Sequence, residues 1–110
     1  MAELLKVLGQ SNPNAATLTD MYTVPGSKQV TGSSFVVTNR SGTLTTFRIS
    51  IAVSGAADDD KQYIYYDVRI AGNDSFTATI GVTLAATDVV RVRATLATLS
   101  FNFFGVELDV

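Results

Sequence analysis

The 110-residue chain contains neither cysteine nor histidine. Without cysteine it can form neither a disulfide framework nor a thiolate metal site. Without histidine it lacks the commonest neutral metal ligand and the side chain most often used for proton transfer near neutral pH. A G-x-S-x-G nucleophile motif and a phosphate-binding glycine loop leading into a helix are also missing. We therefore expect a protein that is not an enzyme and that needs no cofactor and no metal.

Long apolar runs and charge are also scarce. There is no window of about 18 apolar residues, and the opening stretch MAELLKVLGQ has an early acidic residue and an apolar run that is too short for the core of a signal peptide. Charged residues make up 16% of the chain, and the formal net charge of −2 comes from 8 basic and 10 acidic side chains without a long run of either sign. We therefore expect synthesis in a cytosol without a Sec-type signal, and neither a membrane nor nucleic acid as a partner.

Alternation of apolar and polar residues at period two runs through most of the chain. In TTFRISIAVSG, for example, Phe47, Ile49, Ile51 and Val53 share one parity. Short alternating segments about 10 residues apart, separated by turn sequences such as SNPN, PG and GND, predict one domain over residues 1–110. We expect an all-β, antiparallel, jelly-roll-like sandwich of about eight short strands. The predicted strands are 4–9, 20–24, 30–39, 44–54, 62–71, 75–84, 89–96 and 99–108.

The apolar parity of these segments predicts the residues of the core, because successive side chains of a strand point to opposite faces of its sheet. Burial of such a set is sufficient to hold a small sandwich together. The predicted core residues are Phe35, Val37, Phe47, Ile49, Ile51, Val53, Ile64, Tyr66, Val68, Ile70, Phe76, Ile80, Val82, Leu84, Val90 and Val92.

Segment 62–71 is unusual because its polar parity carries two aromatic residues. Tyr63, Tyr65, Asp67 and Arg69 share the face that points away from the predicted core. Tyrosine offers a large contact area at a small entropic cost, so we expect Tyr63, Tyr65 and Arg69 to contact a neighbouring protein. The tyrosines could instead stack on a sugar ring, or merely stabilise an exposed sheet face across strands.

The last predicted strand, in LSFNFFGVELDV, is apolar on both faces. Phe101 and Phe103 share one parity, whereas Phe104 and Val106 share the other. A terminal strand of this kind is costly to expose, so we expect a second subunit to cover it and these four residues to form the subunit interface. The alternative is a central strand that is covered by the N-terminal segment.

The acidic residues do not indicate a catalytic or metal site. Three consecutive carboxylates in AADDDK point in different directions, so a solvated loop tip is a better interpretation than a cation site. Asp67, Asp74 and Asp88 fall on different strands and turns with no nucleophile motif beside them. Hydrolysis of a polysaccharide that depends on Asp67 is the weakest functional hypothesis.

Four segments carry a resemblance to a known group of proteins: MYTVPG (21–26), VTNRSGTLTTFRI (37–49), KQYIYYD (61–67) and ATDVVRVRAT (86–95). The chain resembles small proteins encoded among the structural genes of tailed bacteriophages, over nearly its whole length. The resemblance implies a virion component that is assembled in the host bacterial cytoplasm. It also implies a small β-sandwich, commonly trimeric, used as an accessory capsid, neck or tail-fibre piece, and it carries no catalytic residues.

The leading hypothesis is therefore a homotrimer that decorates or cements a phage capsid. Its partners would be other copies of the chain and virion proteins such as the major capsid, tail or neck proteins. The alternative is a neck or tail-fibre component, or adaptor, that binds host-surface glycans.

Overall fold

The computed structural model describes residues 3–110, so Met1 and Ala2 of the opening stretch lie outside the described residues. Nine strands account for most of this part of the chain, and two short 3₁₀ turns, Val53–Gly55 and Asp60–Gln62, lie between the fourth and fifth strands. Residues 3–110 contain no helix that is long and apolar enough to cross a membrane. The strands are β1 Glu3–Ser11, β2 Thr19–Thr23, β3 Lys28–Asn39, β4 Thr45–Ala52, β5 Tyr63–Ile70, β6 Ser75–Ala78, β7 Val82–Leu84, β8 Val89–Ala94 and β9 Leu99–Asp109.

The strands form two antiparallel sheets that pack face to face. The first sheet has the order β1-β9-β3, with β6 and β7 pairing one after the other along the free side of β3. The second sheet has the order β2-β8-β4-β5. If β6 and β7 are counted as one interrupted edge strand, this is the strand order of a jelly roll. The predicted all-β antiparallel sandwich is confirmed, with a ninth strand because residues 79–81 divide the predicted strand 75–84.

Aromatic rings fill the space between the sheets. Phe35 and Phe103 stack with their ring centroids 4.4 Å apart, and Phe47 meets the ring of Phe101 at 6.0 Å. The stacked pair requires glycine at position 32, because a Cβ there would lie 2.4 Å from the ring of Phe103. The close packing of the core therefore depends on a missing side chain as well as on large ones.

Most of the predicted core is confirmed, but three of its members face solvent. Val53 is 66% exposed, Ile64 is 42% exposed and Tyr66 is 57% exposed. Val53 is exposed because β4 ends at Ala52 and the chain leaves the sheet there. Another five predicted residues are only partly buried against the core: Ile51, Val68, Phe76, Ile80 and Val82.

The exposure of Ile64 and Tyr66 follows from irregular pairing along β5. Tyr65 pairs with Ile49 of β4, and Val68 pairs with Phe47, so the two residues between Tyr65 and Val68 oppose a single β4 residue. Asp67, one of these two, has a φ of +51°. Such a β-bulge adds one residue and reverses the parity beyond it. Strict alternation therefore assigned the wrong face to Ile64, Tyr65 and Tyr66, while a second register shift, between Ile49 and Ser50 of β4, leaves Tyr63 on the outer face.

A buried amide joins three connections at one end of the sandwich. Asn39, the last residue of β3, is 1% exposed. Its side-chain nitrogen donates to the carbonyl oxygens of Thr43 and Ala71, and its side-chain oxygen accepts from the hydroxyls of Ser41 and Thr98. The turn after β3 is therefore held by polar contacts that compensate for the burial of the amide.

Candidate functional site

Four side chains on the outer face of the second sheet form one cluster, which we call the tyrosine cluster: Tyr63, Tyr66, Arg48 and Asp67. The rings of Tyr63 and Tyr66 are nearly perpendicular, with their centroids 5.1 Å apart. The guanidinium carbon of Arg48 lies 4.0 Å from the centroid of the Tyr66 ring. Arg48 also donates from Nε and Nη2 to the two carboxylate oxygens of Asp67, at 2.7 and 3.3 Å. The bulge in β5 is what turns Tyr66 toward Arg48.

Charge and hydrogen bonding hold the cluster in one arrangement. The hydrogen bond from Arg48 lowers the pKa of Asp67 below its ordinary value, and the same contact raises the pKa of Arg48. Desolvation, followed by a 2.8 Å hydrogen bond that its hydroxyl donates to Asp58, raises the pKa of Tyr63. Tyr63 therefore stays neutral, and the Arg48–Asp67 pair stays ionised, across the neutral pH range.

An open cleft lies beside the two rings. It is lined by Tyr63, Tyr66 and Asp60 and has a volume of about 460 Å³. The carboxylate of Asp60 has no hydrogen-bond or ion-pair partner within residues 3–110. The cleft therefore combines two fixed aromatic walls with a negative group that is free to accept a contact.

The structure separates the three residues that were predicted to contact a neighbour. Tyr63 belongs to the tyrosine cluster. Tyr65 points inward, where its ring lies 5.3 Å from that of Phe76, so it is a core contact rather than a surface residue. Arg69 is exposed on β5, opposite Thr46 of β4. Only the first and last of the three remain available to a neighbour.

The sequence interpretation missed Tyr66 and Arg48. It placed Tyr66 in the core and assigned no role to Arg48. One signal was present, since Tyr65 and Tyr66 are adjacent and neighbouring strand residues normally point to opposite faces. One of the two rings therefore had to face outward, although the alternation alone did not identify which.

A second candidate surface lies on the outer face of the first sheet. Five outward-pointing apolar side chains form what we call the apolar face: Leu5 and Val7 of β1, with Phe104, Val106 and Leu108 of β9. Leu5 pairs with Val106, and Val7 pairs with Phe104. Leu5 is 86% exposed and Val7 is 47% exposed. The apolar face lies on the opposite side of the sandwich from the tyrosine cluster.

The four residues predicted for a subunit interface are divided between the two faces of β9. Phe101 and Phe103 are 1% and 0% exposed, because β9 lies between β1 and β3 and its inner face packs against the second sheet. Their rings belong to the core of this chain and are not available to another subunit. Phe104 and Val106 lie on the apolar face. β9 therefore occupies the central position that the alternative interpretation described.

Two buried carboxylates have structural partners. Glu107 is 5% exposed and accepts a 2.6 Å hydrogen bond from the hydroxyl of Tyr22, with Lys6 at 3.4 Å. The hydrogen bond from Tyr22 lowers the pKa of Glu107, while burial raises the pKa of Tyr22. The pair therefore stabilises one end of the sandwich while Glu107 is ionised.

Asp88 has a comparable role in the loops. Its two carboxylate oxygens accept hydrogen bonds from the backbone N–H groups of Ser54 and Ala85, both at 2.9 Å. These bonds join the segment that leaves β4 to the turn before β8. Asp88 is thus occupied by the backbone and does not converge with Asp67, which pairs with Arg48.

The acidic loop is also engaged locally. Asp58 accepts from Tyr63, and Asp59 accepts from the backbone N–H of Lys61. No three acidic side chains within residues 3–110 are grouped so that they could hold a metal ion.

Comparison with known proteins supplies no family for the chain. No protein-family model matches it, and no curated protein matches its sequence at a significant level. The interpretation of function therefore starts from the two surfaces and from the resemblance in the four segments described above.

Proposed function

We propose that the protein is a structural component of a tailed-phage virion, a homotrimeric β-sandwich that decorates or cements the capsid. The apolar face is the observation that carries the proposal. Leu5, Val7, Phe104, Val106 and Leu108 point away from the core of their own chain, and Leu5 is 86% exposed. Contiguous exposed apolar side chains mark interaction sites, because their burial in an interface is favourable.

The surroundings of the apolar face favour other copies of the chain as its occupants. Beside β9, the outer face of β3 presents Gln29, Thr31 and Ser34 opposite Leu108, Val106 and Phe104. These neighbours are polar but uncharged, so an interface can cover them without removing an ion from water. The border also includes one charged residue, Glu3 of β1, which is exposed and pairs with Leu108 at one end of the apolar face. An apolar centre with a largely uncharged polar border is the composition expected of a homo-oligomeric contact.

Self-association through the apolar face would leave the opposite side of each sandwich free. The tyrosine cluster lies on that side, with Arg69 exposed on the same strand. A protein that binds only the assembled shell stabilises it by mass action. In the proposed function, the outer face of the second sheet makes this contact with a neighbouring virion protein.

The oligomer is tested by light scattering coupled to size exclusion. We expect the mass of three chains for the wild type and of one chain for Val106→Asp and Phe104→Asp, because a carboxylate in an apolar contact is strongly unfavourable. Asn73→Asp is the control, because Asn73 is an exposed residue of the turn between β5 and β6, and this variant adds the same charge but should keep the wild-type mass. A wild type that remains monomeric at high concentration would contradict the proposal.

The position in the virion is tested by immunogold labelling of virions of the phage that encodes the chain. Gold over the head supports a decoration protein. Gold at the neck or tail supports the second candidate, a neck or tail-fibre component, and unlabelled virions contradict both.

One observation favours the second candidate's binding of host glycans: the ring of Tyr66 is 57% exposed and is held in place by Tyr63 and Arg48. Exposed, fixed aromatic rings can stack on sugars. Binding to a glycan array that is lost in Tyr66→Ala and kept in Asn73→Asp would support it. The absence of binding at every concentration would count against it.

A further inference from the structure

The tyrosine cluster contains one complete site for a cation, filled by the chain itself. The guanidinium carbon of Arg48 lies 4.0 Å from the centroid of the Tyr66 ring, and the same guanidinium donates two hydrogen bonds to Asp67. The face of an aromatic ring attracts a cation, and a carboxylate gives a planar guanidinium a paired contact. This surface therefore holds a guanidinium by combining a tyrosine ring with a carboxylate.

The neighbouring cleft also combines tyrosine rings with a carboxylate, but none of its described lining residues is basic. Its walls are Tyr63 and Tyr66, whose rings meet at 88°, and its third lining residue is Asp60. Within residues 3–110 the carboxylate of Asp60 accepts no hydrogen bond and forms no ion pair. The side chain of Lys61, the nearest basic residue in sequence, forms no ion pair in this part of the chain either.

We propose that the cleft between Tyr63, Tyr66 and Asp60 binds the cationic group of a basic side chain on a partner protein. Charge complementarity identifies this occupant, because the cleft offers a carboxylate beside two tyrosine rings. Arginine suits the cleft better than lysine, since a planar guanidinium both stacks on a ring and forms paired hydrogen bonds with a carboxylate. The volume of about 460 Å³ accommodates the end of one side chain.

The inference rests on the proposed function, in which the partner is a neighbouring virion protein. It adds to that function the chemistry that the partner presents, a basic side chain. Arg48 supports the cleft without entering it. Its contact with Tyr66 and its bond to Asp67 fix the ring that the incoming cation would meet.

The test uses the full-length protein and two small probes of the same shape. N-acetyl-arginine methylamide carries the guanidinium, and N-acetyl-citrulline methylamide replaces it with a neutral urea. We expect the arginine probe to produce saturable shifts of the Tyr63 and Tyr66 ring signals in NMR spectra. We expect its affinity to exceed that of the citrulline probe by roughly two- to fivefold, the range typical of an exposed cation–π contact.

Two variants with the same charge change locate the site. Asp60→Asn should weaken binding of the arginine probe by a factor of about two to five, because it removes the carboxylate that forms an exposed ion pair with the guanidinium. Asp59→Asn is the matched control: its side chain accepts from the backbone of Lys61, a contact that asparagine can also make, and it should bind like the wild type.

Three outcomes would overturn the inference: unchanged ring signals in the wild type, equal affinity for both probes, or equal weakening by the two variants. Equal affinity would indicate stacking of a neutral group, as expected for a sugar. The mass measurement tests the proposed function separately. A trimer that does not bind the arginine probe would contradict only the proposed binding site in the cleft. A monomer that binds the probe would contradict only the proposed oligomer.

Discussion

The hydroxyl of Tyr22 donates a 2.6 Å hydrogen bond to Glu107 between the two sheets. Tyr22 lies on β2 of the second sheet and Glu107 on β9 of the first, so the bond links the sheets at one end of the sandwich. The hydrogen bond is the main reason that the pKa of Glu107 lies below its ordinary value, and Lys6 lowers the pKa further. The interaction favours the ionised carboxylate, which makes its contribution to stability dependent on pH.

We predict that Tyr22→Phe lowers the free energy of unfolding by about 1.5 kcal/mol at pH 7 and by less at pH 3. A lowered folded-state pKa contributes stability above the unfolded value of about 4.3, and this contribution is lost as the pH falls through the folded value. Urea unfolding at both pH values measures the difference. Tyr66→Phe, which removes an exposed hydroxyl, is the control. Equal losses at pH 7 and pH 3 would contradict the assigned coupling.

The adjacent residues Phe103 and Phe104 should respond very differently to truncation. Phe103 is fully buried, so Phe103→Ala should lose about 3–5 kcal/mol of unfolding free energy through the cavity it leaves. Phe104 lies on the apolar face, so Phe104→Ala should cost less than about 1 kcal/mol when the chain is monomeric. Chemical unfolding at low protein concentration distinguishes them. Similar losses would mean that β9 does not have one buried and one outward face.

We predict that Gly32→Ala and Gly105→Ala each destabilise the fold by about 1–3 kcal/mol through overpacking. A Cβ at position 105 would lie 2.4 Å from the carbonyl oxygen of Thr31, which cannot move without disturbing β3. Gly81→Ala is the matched control, because within the described residues no atom lies within 4 Å of a Cβ placed there. Thermal unfolding followed by circular dichroism compares the three variants. An unchanged melting temperature for Gly32→Ala would refute the close approach of β3 to Phe103.

Asp88→Asn should loosen the loops at both sides of the carboxylate. The amide group of asparagine can keep one of the two acceptor contacts, with Ser54 or Ala85, but it turns a donor toward the other backbone N–H. We expect a loss of about 2 kcal/mol and faster hydrogen exchange of those two amides. Asp74→Asn, an exposed turn variant, should leave both exchange rates unchanged. Protection equal to that of the wild type would show that the carboxylate does not hold these loops.

Local patterns were sufficient for the strands themselves. Seven of the eight predicted strands each correspond to one observed strand, with boundaries within two residues, and the predicted strand 75–84 is divided into β6 and β7. The core residues of β3 and β8, including Phe35, Val37, Val90 and Val92, are all buried as expected. Period two is a property of the strand backbone, and therefore it is visible wherever pairing is regular.

The pattern failed where pairing is irregular. Tyr65 and Tyr66 exchanged their expected faces because Tyr66 and Asp67 oppose a single residue of β4. Where the extra residue sits depends on the register between β4 and β5, which is not written in the sequence of β5 alone. The tyrosine cluster could not be assembled from sequence for the same reason.

By itself, then, the sequence determined the all-β class, the strand positions and most of the core, because these depend on the local alternation of side chains. Only the tertiary structure decided that β9 is a central strand with Phe103 on its inner face and Phe104 on its outer face. It also decided that Tyr66 rather than Tyr65 faces outward beside Arg48. Both decisions depend on which strands lie side by side and in what register, and these are set by contacts between residues that are distant in the chain.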